Sequence, residues 1–148
     1  MSESGSAPPL VLMVDDDEED VYMTRRAFAA DARDCRFRAV HDGDGLFAYL
    51  DNRGEFADAC SHPRPRLILM DINMPRENGF ELLARIRGMA AHASIPVIVM
   101  STSLAAQDID RAYRLGANAF VGKPVTAQAM KALARHVRLF WFDTAVLP

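Results

Sequence analysis

The chain has 148 residues, half of them apolar and a quarter charged, with a net charge of −3. That length suits one domain of ordinary globular composition and excludes fibrous and disordered classes. No apolar run approaches the roughly 18 residues of a membrane span, the N-terminus carries no secretory signal, and two cysteines, Cys35 and Cys60, are too few for a disulfide framework. A soluble, cytoplasmic protein without dedicated nucleic-acid binding is therefore expected.

Residues 1–8 are small, polar and turn-forming and read as a flexible leader. Leu10 to Val14 is an apolar run with β-branched members, typical of a strand buried on both faces. Asp17 to about Ala30 reads as a helix with Val21, Thr24 and Phe28 on one side, and Phe37 to Val40 as a short edge strand. Asp44 is the expected cap of a second helix through Leu50, followed by Gly54 and a Pro-rich loop to Pro65. Leu67 to Met70 is a second buried strand, Asn73 to Asn78 a loop, and Gly79 onward a helix with a Phe80, Leu83, Ile86 stripe. Ile95 to Met100 is the next strand, and Leu104 to Leu115 a helix stopped by Gly116. Ala119 to Val121 is a last strand, and Thr126 or a neighbour starts a final helix with Met130, Leu133, Val137 and Trp141 in register.

Five strands alternating with five helices predict an α/β fold, a doubly wound (βα)5 parallel sheet with helices on both faces. Sites in such sheets lie beyond the C-terminal strand ends. There the sequence places Asp15 and Asp16 after the first strand, Asp71 after the third, Ser101 and Thr102 after the fourth, and Lys123 after the fifth. Clustered carboxylates need a cation. An oxygen-only set without His or Cys favours Mg²⁺, with Mn²⁺ or Ca²⁺ as substitutes. All 17 basic residues except Lys123 and Lys131 are Arg, so a compact ammonium at Lys123 points to a specific requirement. A carboxylate beside a cation and a Lys can attack phosphorus, and Asp71, alone at the end of a central strand, is the best nucleophile candidate. The remaining acids of the run Asp15 to Asp20, namely Asp17, Glu18, Glu19 and Asp20, are accounted for as helix-start partners.

The stretches Val14-Asp-Asp-Asp17, Met70-Asp-Ile-Asn-Met-Pro75 with Gly79, Pro96 to Ser101 and Gly116 to Pro124 make the chain resemble the receiver domain of bacterial two-component response regulators, over about residues 9–142. The resemblance implies a flavodoxin-like strand order of 2-1-3-4-5. It implies that Asp71 accepts a phosphoryl group from a histidine kinase, that Asp15, Asp16, Asp71 and the Asn73 carbonyl hold the metal, and that Lys123, Ser101 and the Thr102 backbone contact the phosphoryl group. It further implies that Ser101 and Phe120 form the switch pair and that the Lys123–Pro124 peptide is cis. Thr102 stands where the family usually has Ala or Gly, and its bulk is expected to narrow access to the site.

A narrower resemblance, carried by Asp16 to Val21, Ser101-Thr-Ser103, Asp108-Ile109 and the tail Phe140 to Asp143, is to the small regulators paired with bacterial phytochromes. It implies a light-sensing histidine kinase as partner, with a non-photosensory kinase as the alternative. Only the tail 143–148 follows the last helix, so a stand-alone receiver with protein-contact output is expected, catalysing only its own phosphorylation and dephosphorylation. Leu139, Phe142, Val146 and Leu147 lie off the core stripe of the last helix. They are expected to form a homodimer interface, or else to fold back over the domain's own core. The competing function class is a phosphorylation-independent, receiver-like scaffold or dimerisation module.

Overall fold

The computed structural model describes residues 7–31 and 35–148, so most of the expected leader lies outside the described residues. The chain runs β1 (Leu10–Val14), α1 (Glu18–Asp31), β2 (Arg36–Val40), α2 (Gly43–Leu50), a 3₁₀ turn (Gly54–Phe56), β3 (Leu67–Asp71), α3 (Gly79–Gly88), β4 (Val97–Ser101), α4 (Ala106–Arg114), β5 (Ala119–Gly122) and α5 (Ala127–Val137). The five strands form one parallel sheet in the order β2-β1-β3-β4-β5, as expected.

Successive residues of a strand point to opposite faces, and both faces of the sheet are covered, so the three central strands are apolar up to the polar ends of β3 and β4. Leu10, Leu12 and Val14, with Ile68, Met70, Val97 and Val99, face a core completed by α2, α3 and α4 through Leu46, Phe47, Leu83, Ile86 and Ala112. Val11, Met13, Leu67, Leu69, Ile98 and Met100 face the opposite core, closed by Val21, Ala27 and Phe28 of α1 and Met130, Ala134 and Val137 of α5. Among the described residues no helix is long and apolar enough to cross a membrane.

Most expected helix ends hold. Thr126 caps α5 by accepting from Ala129 N, Asn78 caps α3 through Phe80 N, and Gly116 ends α4 at φ 105°, a backbone conformation only glycine adopts freely. The cap of α2 is Asp42 rather than Asp44. Its carboxylate accepts from Gly45 N at 2.7 Å, which starts the helix one residue before Asp44 and leaves that residue as a first-turn acid.

The last helix departs from a simple four-residue repeat. After Val137 the backbone widens into a π-helical turn over Arg138–Phe142, with Asp143 N bonded to Arg138 O at 3.0 Å. The wider turn brings both Trp141 and Phe142 against the α1–α5 core and leaves Leu139 and Phe140 exposed. The four residues expected to lie off the core therefore separate. Leu139 and Val146 are exposed, Phe142 packs on its own domain, and Leu147 is half-buried in a shallow cleft with Arg64, Pro65 and Ile95.

Gly79 is where α3 meets the end of β3. A Cβ there would lie 2.7 Å from Ile72 Cα and 2.8 Å from the Asp71 carbonyl oxygen, both backbone atoms that cannot step aside. Gly79→Ala is therefore expected to cost about 1–3 kcal/mol of stability in urea denaturation, the usual cost of overpacking. An unchanged midpoint would show that the contact is looser than the geometry indicates.

Candidate functional site

Register assembles the site. Val14 pairs with Met70, Asp71 with Met100 and Ser101 with Gly122, so Asp15, Asp71, Ser101 and Lys123 emerge side by side at one rim. Asp71 and Lys123 border an open cleft of 430 Å³ together with Asp16, Asp17, Asp20, Asn73, Pro75 and Thr102. A larger groove of 660 Å³ lies between α1 and α5, lined by Tyr22, Met23, Ala27 and Ala127 with charges at its borders. The groove's surface is mainly apolar, whereas the carboxylates and Lys123 converge on the smaller cleft, so the chemistry belongs there.

Asp15 and Ser101 are fully buried and Asp71 is 2 % exposed, whereas Asp16 faces solvent. Carboxylate oxygens of Asp15, Asp16 and Asp71 lie within 4.8 Å of one another. Lys123 Nζ sits 2.9 Å from Asp15 Oδ2, 2.7 Å from Asp20 Oδ2 and 3.2 Å from Asp71 Oδ2. Asp15 Oδ1 accepts from Asp17 N and Asp71 Oδ1 from Asn73 N, both at 2.9 Å. Asp15 Oδ2 is in ion-pair range of Lys123 but out of line for a hydrogen bond, which leaves a buried carboxylate oxygen without a hydrogen-bond donor.

Burial pushes the Asp15 carboxyl up to about 6, against the opposing pull of Lys123 and the Asp17 N–H. Burial also works to lower the Lys123 ammonium. Its close ion pairing with the Asp15 and Asp20 carboxylates and the charge of Asp71 outweigh that effect and hold it above the usual lysine range. The site thus has one permanent cation facing four carboxylates. An oxygen-only donor set with excess negative charge and an orphaned buried carboxylate oxygen fits a hard divalent cation held by Asp15, Asp16 and Asp71.

Two features went unread in the sequence. Asp20, taken for a helix-start partner, makes the shortest of the three Lys123 ion pairs. The available signal was periodicity, because Asp20 stands one helical turn before Thr24, already placed on the inner face and fully buried. Asn73, expected to act through its backbone carbonyl, also extends its side chain to β4, where Oδ1 accepts from Ser101 Oγ at 2.9 Å and Thr102 N at 3.0 Å.

The remaining site residues are placed as follows. Thr102 lies exposed at the cleft's edge. Phe120 is half-buried against the α2–α4 core, and its N–H donates to Tyr113 Oη at 3.1 Å. The Lys123–Pro124 peptide corrects an expectation, since it is trans, and there is no cis bond among the described residues. Trans is the lower-energy form of an X–Pro bond, and here it leaves Lys123 in reach of all three of its carboxylate partners.

This arrangement defines a class of protein. The chain belongs to the response regulator receiver domain family, whose model matches residues 11–135. Response regulator Rcp1 of Synechocystis is 30% identical over 148 residues, which is 100% of this chain and 99% of Rcp1. Among solved structures, a response regulator in red light signaling of R. palustris superposes with a TM-score of 0.88 at 34% identity, covering 95% of this chain and 98% of that one. The phosphorylated cyanobacterial phytochrome response regulator RcpA gives 0.85 at 34% identity, covering 96% and 99%. The Mn²⁺-bound form of Rcp1 gives 0.81 at 30%, covering 95% and 99%. The chain is thus a two-component signalling protein related to the phytochrome response regulators, in a family phosphorylated on aspartate.

The raised Asp15 gives a signed prediction. Its folded form prefers the proton, so the associated stability is fully present below the ordinary value of 3.8 and is lost as pH rises through about 6. Above that, ionised Asp15 costs the cation-free protein about 3 kcal/mol. Asp15→Asn should therefore melt higher than the native chain at pH 8 in EDTA. The gap should close at pH 4, and a divalent cation should raise the melting temperature of the native chain more than that of the variant. A native chain that is the more stable of the two at pH 8 in EDTA would refute this account.

Proposed function

We propose that Asp71 is the phosphoacceptor, that a histidine kinase is the donor, and that the resident cation is Mg²⁺. The observation that carries this is the environment of the Asp71 carboxylate at the end of the central strand. One oxygen is fixed by Asn73 N, and the other faces Lys123 in a volume shared with Asp15 and Asp16. In the transfer, an Asp71 oxygen bonds to phosphorus as the bond from phosphorus to the donor imidazole nitrogen breaks. The electron pair leaves on that nitrogen, and the imidazole takes a proton from solvent. Lys123 balances the charge on the phosphoryl oxygens, and Ser101 Oγ and Thr102 N donate hydrogen bonds to them. When bound, the cation neutralises charge between the carboxylates and the phosphoryl group, with the Asn73 carbonyl completing its protein ligands. Hydrolysis of the acyl phosphate returns the carboxylate, so the only chemistry is the chain's own phosphorylation and dephosphorylation.

The likeness to Rcp1, RcpA and the red-light regulator supports a bacteriophytochrome as the kinase and a cytoplasmic setting. Output passes to protein partners through movement of Ser101 and Phe120. A homodimer formed by the C-terminal segment is part of the same reading. It rests on the exposed Leu139, Phe140 and Val146, while Phe142 acts from beneath by supporting the π-helical turn.

With acetyl phosphate and Mg²⁺, intact-mass measurement should show one added phosphoryl group in the native chain and none in Asp71→Asn or in EDTA. An adduct that persists in Asp71→Asn would move the phosphoacceptor elsewhere. Light scattering should give a dimer that Leu139→Glu with Phe140→Glu converts to a monomer. A native chain that is monomeric at high concentration, phosphorylated or not, would remove the dimer.

A further inference from the structure

We propose that the Asn73 side chain is a placeholder for the phosphoryl group, its amide oxygen occupying the two donors that a phosphoryl oxygen on Asp71 takes over. The proposal rests on the reading of Asp71 as phosphoacceptor and goes beyond the role of the Asn73 backbone.

The geometry leaves little freedom in the assignment. Thr102 N can only donate, so the Asn73 amide turns its oxygen, not its nitrogen, toward it at 3.0 Å. The Ser101 hydroxyl accepts from Ser103 N at 3.0 Å and gives its own proton to the same Asn73 oxygen at 2.9 Å. These two short hydrogen bonds use both lone pairs of that oxygen, and Thr102 Oγ1 adds a longer third contact to it at 3.4 Å. Ser101 is fully buried, so without Asn73 its hydroxyl would lack this acceptor.

The chain connectivity explains how Asn73 reaches there. It lies two residues after Asp71, and its N–H already holds Asp71 Oδ1 at 2.9 Å. The loop therefore folds back on the acceptor carboxylate and presents the amide across the gap to the end of β4. An amide oxygen and a phosphoryl oxygen ask for the same donors in the same place. The phosphoryl oxygen carries more charge and forms the stronger bonds, so it displaces the amide. Asn73 thus keeps Ser101 and Thr102 aimed at the site and sets a threshold that phosphorylation must exceed.

Asn73 itself is exposed, so its replacement leaves the core intact. The test uses the full chain at saturating Mg²⁺, beryllofluoride as phosphoryl mimic, and ¹H–¹⁵N spectra that report the fold and the Thr102 amide together. Asn73→Ala no longer has two hydrogen bonds to give up, so beryllofluoride should bind it about 3- to 10-fold more tightly than the native chain. Asn73→Asp restores an acceptor, now anionic, on the same donors and should bind more weakly than native. Ser101→Ala removes one shared donor, so adding Asn73→Ala to it should gain less than in the native background. The Thr102 amide resonance should differ between native and Asn73→Ala in Mg²⁺ alone and converge when beryllofluoride is bound.

Equal or weaker binding by Asn73→Ala, or a Thr102 resonance that does not respond to it, overturns the proposal. If beryllofluoride binds the native chain, fails on Asp71→Asn and ignores Asn73→Ala, the placeholder alone is lost. If it fails to bind the native chain, the phosphoacceptor reading falls and the placeholder with it.

Discussion

The fold's one costly feature is a lysine ammonium set among buried carboxylates. Lys123 lies within 3.2 Å of an oxygen from each of Asp15, Asp20 and Asp71, which belong to three separate elements. Buried acids are unfavourable unless paired, and one ammonium cannot neutralise four carboxylates. Burial, with the nearby charge of Asp71 adding to it, raises the proton affinity of Asp15, and one of its oxygens lacks a hydrogen-bond donor. A site in that condition gains from a divalent cation. The frustration of the acidic rim is thus the source of its chemistry.

The sheet exists in this form to hold that rim. Parallel strands deliver all their C-terminal ends to one side, and the apolar residues beneath, from Val14 and Met70 to Val99 and Met100, exclude water from below. Gly79 lets α3 start directly against the backbone of Asp71 and Ile72, which holds the exit of β3 in place. The polar contacts above run across elements: Asn73 joins the β3 exit to β4, and Lys123 joins β5 to α1, β1 and β3. A change of charge at Asp71 is therefore felt at the ends of several strands at once.

The C-terminal segment follows a different logic. A regular helix would have carried Trp141 alone to the core, whereas the π-helical turn carries Trp141 and Phe142 together and leaves Leu139 and Phe140 outside. The exposed apolar pair is thus supported from beneath by the domain's own packing. That separates a surface available for contact from the aromatic residues that hold it in place.

What the sequence determined by itself was the alternation of strands and helices, the strand order through family resemblance, and the identity of the residues at the strand ends. Those depend on short-range periodicity and on residue types whose chemistry has few uses, such as Asp71 and Lys123. Capping by Asp42 rather than Asp44 was not legible, because both acids precede the same apolar run and only backbone geometry chooses between them. The ion pair of Asp20, the reach of the Asn73 side chain to Ser101, the trans Lys123–Pro124 bond and the inward turn of Phe142 were decided by tertiary structure alone. Each depends on the distance between groups far apart in the chain or on how a backbone closes around them; residue spacing put Asp20 on the inner face of α1 but carried no record of the partner it meets there.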